Sequence, residues 1–582
     1  MLWGANENAR NIVSVIRWSD VEPYAGDSWK VSRRLTLDFG IRWSFMRPEY
    51  MNDNHLSGFL PSLYNPALGN DPCNGILLAK GAPNLCQGLG GGTGGTYSKY
   101  RSLVPSNNHL ISPRVGFAWD VLGTQRFVLR GGAGQFFARD PVGISIRMEQ
   151  SNPPFGIGAG GEHTLDPCSV TGLSGCSGDF TPGVNLFDWA SGGTPGQGLE
   201  NNTKLSNSWQ WNLTTETAFG RNSKLELGWV ALRGIHLESA HDANQIAPAN
   251  RPNYILRGLP CTVEQPTNCG QSAGDRSDLY PFGALTTNQI TIWDHRGDSI
   301  YHSLQAMFSS RWGKNSIFQT SYTWSKNIST TTLGYIGTGT VVSDTYNPKA
   351  NRGLADFDRR HVFNASLVYN LPALDGQNSF LRGVFGNWES STVVNVASGP
   401  HLTISGGVND IVVGHDSDGN DVIGGVGNPW GTGNAGSFGA RPIQTSASCF
   451  TNNRLQFLNP GAFTFNGFEL GGYPNTGPGQ CSGPATADAD FSIDKNWNLP
   501  WHGGRIFGEA ARIQFRLEMF NVFNHPMFRF NGANLNYQTN GGQIVNNVIQ
   551  GTSLQTGSPF GHTPFASTIG NREIQYALKL IW

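Results

Sequence analysis

The stretch LTLDFGIRWSF, residues 35–45, decides how the rest of the chain is read. Leu35, Leu37, Phe39, Ile41, Trp43 and Phe45 alternate with Thr36, Asp38, Gly40, Arg42 and Ser44. Strict alternation of period two is the mark of a strand with one apolar and one polar face. Soluble strands run to about five or six residues. Crossing a bilayer as a tilted strand takes about 9–11. The length therefore points to a membrane wall.

Other segments repeat the pattern. Val115, Phe117, Trp119 and Val121 share one face, as do Trp209, Trp211 and Leu213. Leu225, Leu227, Trp229 and Ala231 form a third set, Ile513, Phe515, Leu517 and Met519 a fourth, and Ile574, Tyr576, Leu578, Leu580 and Trp582 a fifth. Thirteen candidate strands follow: 18–31, 35–47, 111–121, 126–139, 206–219, 223–236, 299–312, 315–328, 361–371, 387–397, 487–499, 508–523 and 571–582.

The connections between them alternate short and long. Ser32–Arg34, Leu122–Gln125, Gly220–Asn222, Gly313–Lys314 and Pro500–Phe507 are short, and Pro372–Gly386 is intermediate. Pro48–Leu110, Asp140–Leu205, Leu237–Asp298, Ser329–Arg360, Ser398–Thr486 and Asn524–Gly570 are long. Short periplasmic turns alternating with long outer loops are the pattern of an antiparallel outer-membrane β-barrel. A soluble sandwich has no reason to keep that parity.

Composition agrees. Only 14% of the 582 residues are charged, while 76 are Gly and 11% are aromatic. Soluble domains carry about a quarter charged residues. A net charge of −1 gives no electrostatic case for nucleic acid. No apolar run is long enough for a membrane-spanning helix. All eight cysteines fall in long loops, as local pairs: Cys73–Cys86, Cys168–Cys176, Cys261–Cys269 and Cys449–Cys481. Four local disulfides and an oxidising compartment are the expectation. CxxC spacing for a metal is absent.

With Trp582 at the periplasmic side, an odd strand count starts the first strand outside the cell. Single-chain barrels normally have an even count with both termini inside. Residues 1–11, MLWGANENARN, lack the pattern of a signal peptide. The expectation is that residues 1–17 are the remnant of a preceding strand or loop, and that 18–582 form the C-terminal part of a larger barrel.

Asp27–Arg42, DSWKVSRRLTLDFGIR, resembles the strand pair DDWKV-RLTLNLGLR of TonB-dependent receptors, and within them the Oar-like branch. Ser112–Arg139, Trp209–Leu237, Tyr301–Ser325, Asp356–Asn370, Arg512–Phe528 and Arg572–Trp582 resemble successive strands of the same family. The resemblance implies a barrel of about 22 strands, of which thirteen or fourteen are present. It also implies an N-terminal plug and a TonB box that couples to the TonB–ExbB–ExbD complex; the plug, box and signal peptide are not visible in the sequence. A terminal aromatic at Trp582 resembles the signal read by the barrel-assembly machinery. The partners implied are outer-membrane lipid, that machinery, the TonB complex through the plug, and a small-molecule or oligosaccharide substrate.

Asp38, Arg42, Glu216, Glu226, Arg516 and Glu518 sit at lumen-facing positions and are the candidates for a substrate path. The simpler expectation is that such charges pair with one another or with the plug. In His415–Asp421, HDSDGND, the residues Asp416, Asp418 and Asn420 resemble the start of a calcium loop, without the closing Glu. A structural calcium there is the only cofactor the sequence suggests, against a solvated acidic turn. Gly88–Gly95 lacks the GK[ST] of a phosphate loop and reads as a loop tip. Trp29, Trp43, Trp119, Trp312, Trp324 and Trp388 suit interfacial girdles. Trp189, Trp293 and Trp430 are the loop aromatics that could stack on sugars. The run Asp356–His361, DFDRRH, reads as an anchor of loop to strand. No Ser–His–Asp or paired-carboxylate arrangement is discernible, so no enzyme is expected.

The resemblance favours import of a large scarce nutrient, a glycan fragment or a metal chelate. The competing readings are a passive or adhesive barrel with disulfide-braced loops, an outer-membrane hydrolase, and a soluble secreted all-β protein.

Overall fold

A computed structural model describes residues 7–8, 15–86, 95–155, 158–159, 196–200, 204–312, 316–331, 341–433, 439–453, 455–502, 510–528, 530, 532–562 and 571–581. Cys168, Cys176, Trp189, Trp582 and most of the 88–95 glycine run lie outside the described residues.

Thirteen wall strands pair antiparallel in chain order in one sheet. They are β1 (Tyr24–Lys30), β2 (Leu35–Met46), β3 (Asn107–Asp120), β4 (Phe127–Phe137), β5 (Asn207–Phe219), β6 (Ser223–Asp242) and β7 (Thr291–Trp312). The sheet continues with β8 (Ser316–Ser329), β9 (His361–Asn370), β10 (Trp388–Ala397), β11 (Thr486–His502), β12 (Ala510–Phe520) and β13 (Glu573–Ile581). Among the described residues no ladder joins β1 to β13.

The registers carry one face through the whole wall. Asp38 lies opposite Gly116, Gly116 opposite Gly132, and Gly132 opposite Asn212. The other face bears Phe39, Val115, Trp229, Trp324, Tyr576 and Leu578, all more than a third exposed, with Tyr576 and Leu578 above 70%. Leu37, Phe39 and Trp43 are not sealed inside a sandwich. Water would not tolerate such a surface over thirteen strands, whereas lipid requires it.

Short connections close with local chemistry. In the turn after β3, Asp120 accepts from the backbone N–H of Gly123 and Gln125, each at 2.9 Å. Gly220 takes φ 62° in the turn after β5, a conformation L side chains resist. The turn between β9 and β10 holds a short helix, α1 (Ser379–Phe385), capped by Asn378.

The structure changes the boundaries in two places. The first strand is interrupted: Asp20–Val21 and Tyr24–Lys30 pair separately with β2, with Pro23, which lacks an N–H, between them. The residues 237–242 and 291–298, read as loop, extend β6 and β7 outward. A bulge at His236, with φ 52°, re-aims the strand there.

The long loops are not loose. They fold into a cap with two large apolar cores and, among the described residues, a small third one around Ile246, Leu279 and Tyr280. One large core gathers Met51, Leu56, Phe59, Ile76, Leu78, Met148, Ile290 and Trp293. The other gathers Val408, Ile411, Trp430, Phe463, Phe465, Phe468, Tyr537 and Phe560. Within the second, the strand Ser405–His415 runs parallel to Asn536–Asn540, so two loops far apart in sequence share a sheet. Asn152, fully buried, ties three segments: its amide donates to the carbonyls of Ser57 and Gln197, both at 2.9 Å, and its oxygen accepts from Gly196 and Gln197. Disulfides Cys73–Cys86, Cys261–Cys269 and Cys449–Cys481 brace the cap.

Candidate functional site

The six lumen candidates all project from the polar face, and five of them are held by ion pairs along the wall. Arg42 meets Glu22 at 3.1 Å, and Ser44 Oγ donates to the same carboxylate at 2.7 Å. Glu216 and Glu226 lie opposite each other on β5 and β6. Lys224 lies 2.5 Å from Glu226, and Arg130 is 3.1 Å from Glu216. Arg516 donates to Asp494 at 2.6 Å and approaches Glu518 at 3.5 Å. Asp38 stands on the same face, opposite Ser28 and Gly116. These residues form separate patches on β2, β5–β6 and β11–β12; they do not converge on one site. Their arrangement neutralises charge along a polar lining.

The cavities lie higher, where the wall meets the cap. One, of about 70 Å³, is lined by Glu49, Arg139, Asp140, Ser145, Lys204 and His295 among others. A second, of about 250 Å³, is lined by His241, Asp294, Arg296, Asp298, Thr330 and Lys349 among others. Successive residues at the outer end of β7 serve the two in turn: Trp293 and His295 line the first, Asp294 and Arg296 the second. The bulged extension of β6 and β7 is what lifts these side chains above the membrane.

The first cavity has mixed charge. His295 Nε2 is 2.8 Å from Asp140. Arg296 donates to Glu200 at 3.2 Å, beside the cavity. Burial raises the Glu49 carboxyl to about 7, against the opposing pull of Arg139 and a hydrogen bond from Ser145 at 3.3 Å. In the second cavity, Asp294 is held by Ser239, by His241 at 2.6 Å and by Arg296 at 3.3 Å. Both cavities are small against the roughly 300–1,000 Å³ of a typical ligand pocket. Each is a small cleft at the rim that carries charges of both signs. No sequence motif marked these residues, because 49, 140, 200 and 295 belong to three different loops.

The HDSDGND segment forms a hairpin tip. Asp416 Oδ1 accepts from the backbone N–H of Asp418 and Asn420, both at 2.9 Å, and Asn420 Nδ2 donates to Oδ2 at 3.1 Å. Those bonds pull the Asp416 carboxyl below its usual range. Among the described residues, no three His, Cys, Asp or Glu side chains are grouped to hold a metal. Trp293 and Trp430 are 3% and 0% exposed, so neither offers a stacking face to a sugar. Trp293 lies on β7 and donates to Gln197 at 2.7 Å; Trp430 fills the second cap core. In DFDRRH, Asp358 is buried and bonds His401 at 2.9 Å and the N–H of Asn327 at 2.7 Å, fastening loop to strand.

A continuous wall with an apolar outer face, a polar inner face and a cap at one end matches what sequence comparison finds. Residues 2–575 match the family described as the outer membrane beta barrel domain. The chain belongs to this family. It is a protein of the outer membrane. None of the curated proteins matches it. Among solved structures it is similar to the outer membrane transporter YddB from Escherichia coli, at 8% identity and a TM-score of 0.40, over 96% of this chain and 44% of that one. It is similar to a mutant of the ferric enterobactin receptor PfeA from Pseudomonas aeruginosa, at 9% identity and 0.38, over 96% and 44%. It is also similar to the siderophore receptor PiuA from Acinetobacter baumannii, at 7% identity and 0.36, over 97% and 43%. The barrel-domain chain thus spans less than half the length of each.

Proposed function

We propose that this barrel-domain chain forms wall and extracellular cap of a TonB-dependent transporter of the Oar-like branch, importing a large scarce nutrient rather than catalysing a reaction. The observation that carries the reading is the pairing of a polar, charge-neutralised inner face with mixed-charge subsites at its outer rim. Such a lining lets a polar solute pass without trapping it, while the rim selects it. In this reading the thirteen strands belong to a larger closed wall, since lipid cannot satisfy the edges of an open sheet. Energy reaches the wall through an N-terminal plug coupled to TonB–ExbB–ExbD. The substrate class is a glycan fragment or a metal chelate.

Deleting the gene in its host and following uptake of labelled oligosaccharides and metal chelates, with and without a protonophore, tests this. Loss of energised uptake of one class supports it. Uptake that persists without the gene, or that ignores the protonophore, overturns it.

One observation favours a second reading, a passive or adhesive barrel. The cap has two large apolar cores and three described disulfides, more rigidity than a gate that must open would need. Wild-type adhesion in the deletion strain would remove that alternative.

A further inference from the structure

The intermediate turn between β9 and β10 does not close over the lumen. It folds back over the lipid-facing side of the wall. Three contacts on outward-facing positions show this. The registers place Trp388, Lys495 and Trp497 on the face of Phe515 and Ile513, opposite to that of Asp494 and Arg516. Trp388 Nε1 donates to the carbonyl of Val384 at 2.8 Å, and Trp497 Nε1 donates to that of Gly383 at 2.9 Å. Lys495 Nζ donates to the carbonyl of Gly386, just past the helix.

Lys495 explains why the turn goes there. A lysine on a lipid-facing position is unfavourable unless its charge is shielded. Here its ammonium lies 5.3 Å from the Trp388 ring centroid and 5.5 Å from that of Trp497, and the residue is 2% exposed. The turn supplies the acceptor and the cover. Trp388 also packs edge-on against Phe515 at 6.2 Å, so the covered patch merges with the apolar outer wall.

The covering helix then presents a second apolar surface outward. Phe380 is 73% exposed, Phe385 58% and Val384 40%. Phe380 and Val384 are one turn apart on the same side. Leu381 is partly covered, while Arg382 is exposed and long enough to reach a phosphate from the membrane edge. The turn lies at the end of the wall with the short connections, the periplasmic end. Trp29, Trp119 and Trp312 sit at that same end as the exposed aromatics of a girdle.

We propose that α1 is an interfacial anchor that lies in the periplasmic leaflet of the outer membrane, with Phe380, Val384 and Phe385 among the acyl chains and Arg382 at the phospholipid phosphates. Its occupant is lipid, because the surface is continuous with the lipid-facing wall and sets exposed Phe380, Val384 and Phe385 beside a single basic side chain, Arg382. The inference rests on the barrel fold and its orientation, not on which solute the barrel handles.

The protein in outer membranes isolated from its host tests it by spin labelling. Phe380→Cys, Val384→Cys and, as a control in the same turn, Asp375→Cys are labelled with a nitroxide. Collisions with dissolved oxygen should exceed those with a water-soluble nickel chelate several-fold at 380 and 384, with the reverse at 375. Chelate collisions dominating at 380 and 384 would overturn the proposal, and would instead mark the helix as a docking site for a periplasmic protein. Should a variant fail to fold, the unmutated chain answers with a lipid-borne diazirine. Adducts within 379–385 support the anchor; adducts on the wall strands with none in this segment overturn it.

Discussion

The wall and the cap are built from the same residue types and bury them in opposite directions. On the wall, Val115, Tyr576 and Leu578 stand outward at 60%, 74% and 73% exposure. In the cap, Leu56, Phe465 and Phe560 are fully buried. Both arrangements follow from the removal of apolar surface from water. The wall removes it into lipid, so alternation along each strand is enough. The cap stands in water, so it must find partners within the chain, and it finds them in other loops. Stability in the wall therefore resides in ladders and in the lipid, and in the cap in packing and disulfides.

That difference can be broken in stages. The largest effect is expected from Phe465→Ala, which removes a ring touching Phe468 and Tyr537 in the second cap core. It should destabilise the cap by about 3–5 kcal/mol. Hydrogen exchange in 405–426 and 536–554 should rise, while the heat-modifiable mobility of the folded wall stays unchanged. Loss of the wall as well would show that the two regions fold as one unit.

Val115→Arg should do the reverse. An arginine on the lipid face costs about 2–4 kcal/mol at mid-membrane. Folding titrations into vesicles should register that loss, while exchange in the cap does not change. The same substitution tolerated without effect would deny that this face meets lipid.

Arg441→Met sharpens the picture of the cap. Arg441 is fully buried; one nitrogen donates to the Ala350 carbonyl at 2.6 Å and Cζ lies 4.7 Å from the Trp430 ring centroid, while among the described residues no carboxylate pairs with it and Nε and Nη1 have no partner. Burial lowers its pKa to about 10. A side chain of similar length without those donors should stabilise the cap by about 1–3 kcal/mol, read as slower proteolysis.

The smallest effect concerns the hairpin tip. His415 Nδ1 lies 2.8 Å from Glu264, and its backbone N–H donates to the same carboxylate at 3.0 Å. This holds Glu264 down to about 2 and raises His415 above its usual value. The pair is fully formed above the ordinary Glu pKa and below the ordinary His pKa. Its contribution fades as pH rises through the raised His415 value, and again as pH falls toward 2. His415→Gln should abolish the neutral-to-alkaline loss of protection in 405–426. An unchanged pH profile in the variant would assign that loss to another group.

Much of the wall is legible in the sequence. The period-two pattern at Leu35–Phe45 locates β2, and its polar positions Asp38 and Arg42 do face the same side as Glu216, Glu226, Arg516 and Glu518. The loop cysteines pair as their placement suggests wherever they are described. The functional reading is less accessible. Arg516 is visible as a lumen charge, but its partner Asp494 is on a different strand and is set by register. Glu49, Asp140 and His295 carry no motif at all. Trp293 and Trp430 read as exposed loop aromatics and are instead core residues, since nothing local distinguishes a ring that binds from a ring that packs.

Alternation, strand length and the parity of connections are local properties, because each residue's face depends only on its neighbours along the strand. The sequence by itself therefore determined the wall, its two faces and its orientation. The cap, the outward extension of β6 and β7, the rim cavities and the fold-back of α1 over Lys495 were decided only by the tertiary structure. They arise from contacts between segments tens to hundreds of residues apart, whose energy depends on shape and partner rather than on any pattern along the chain.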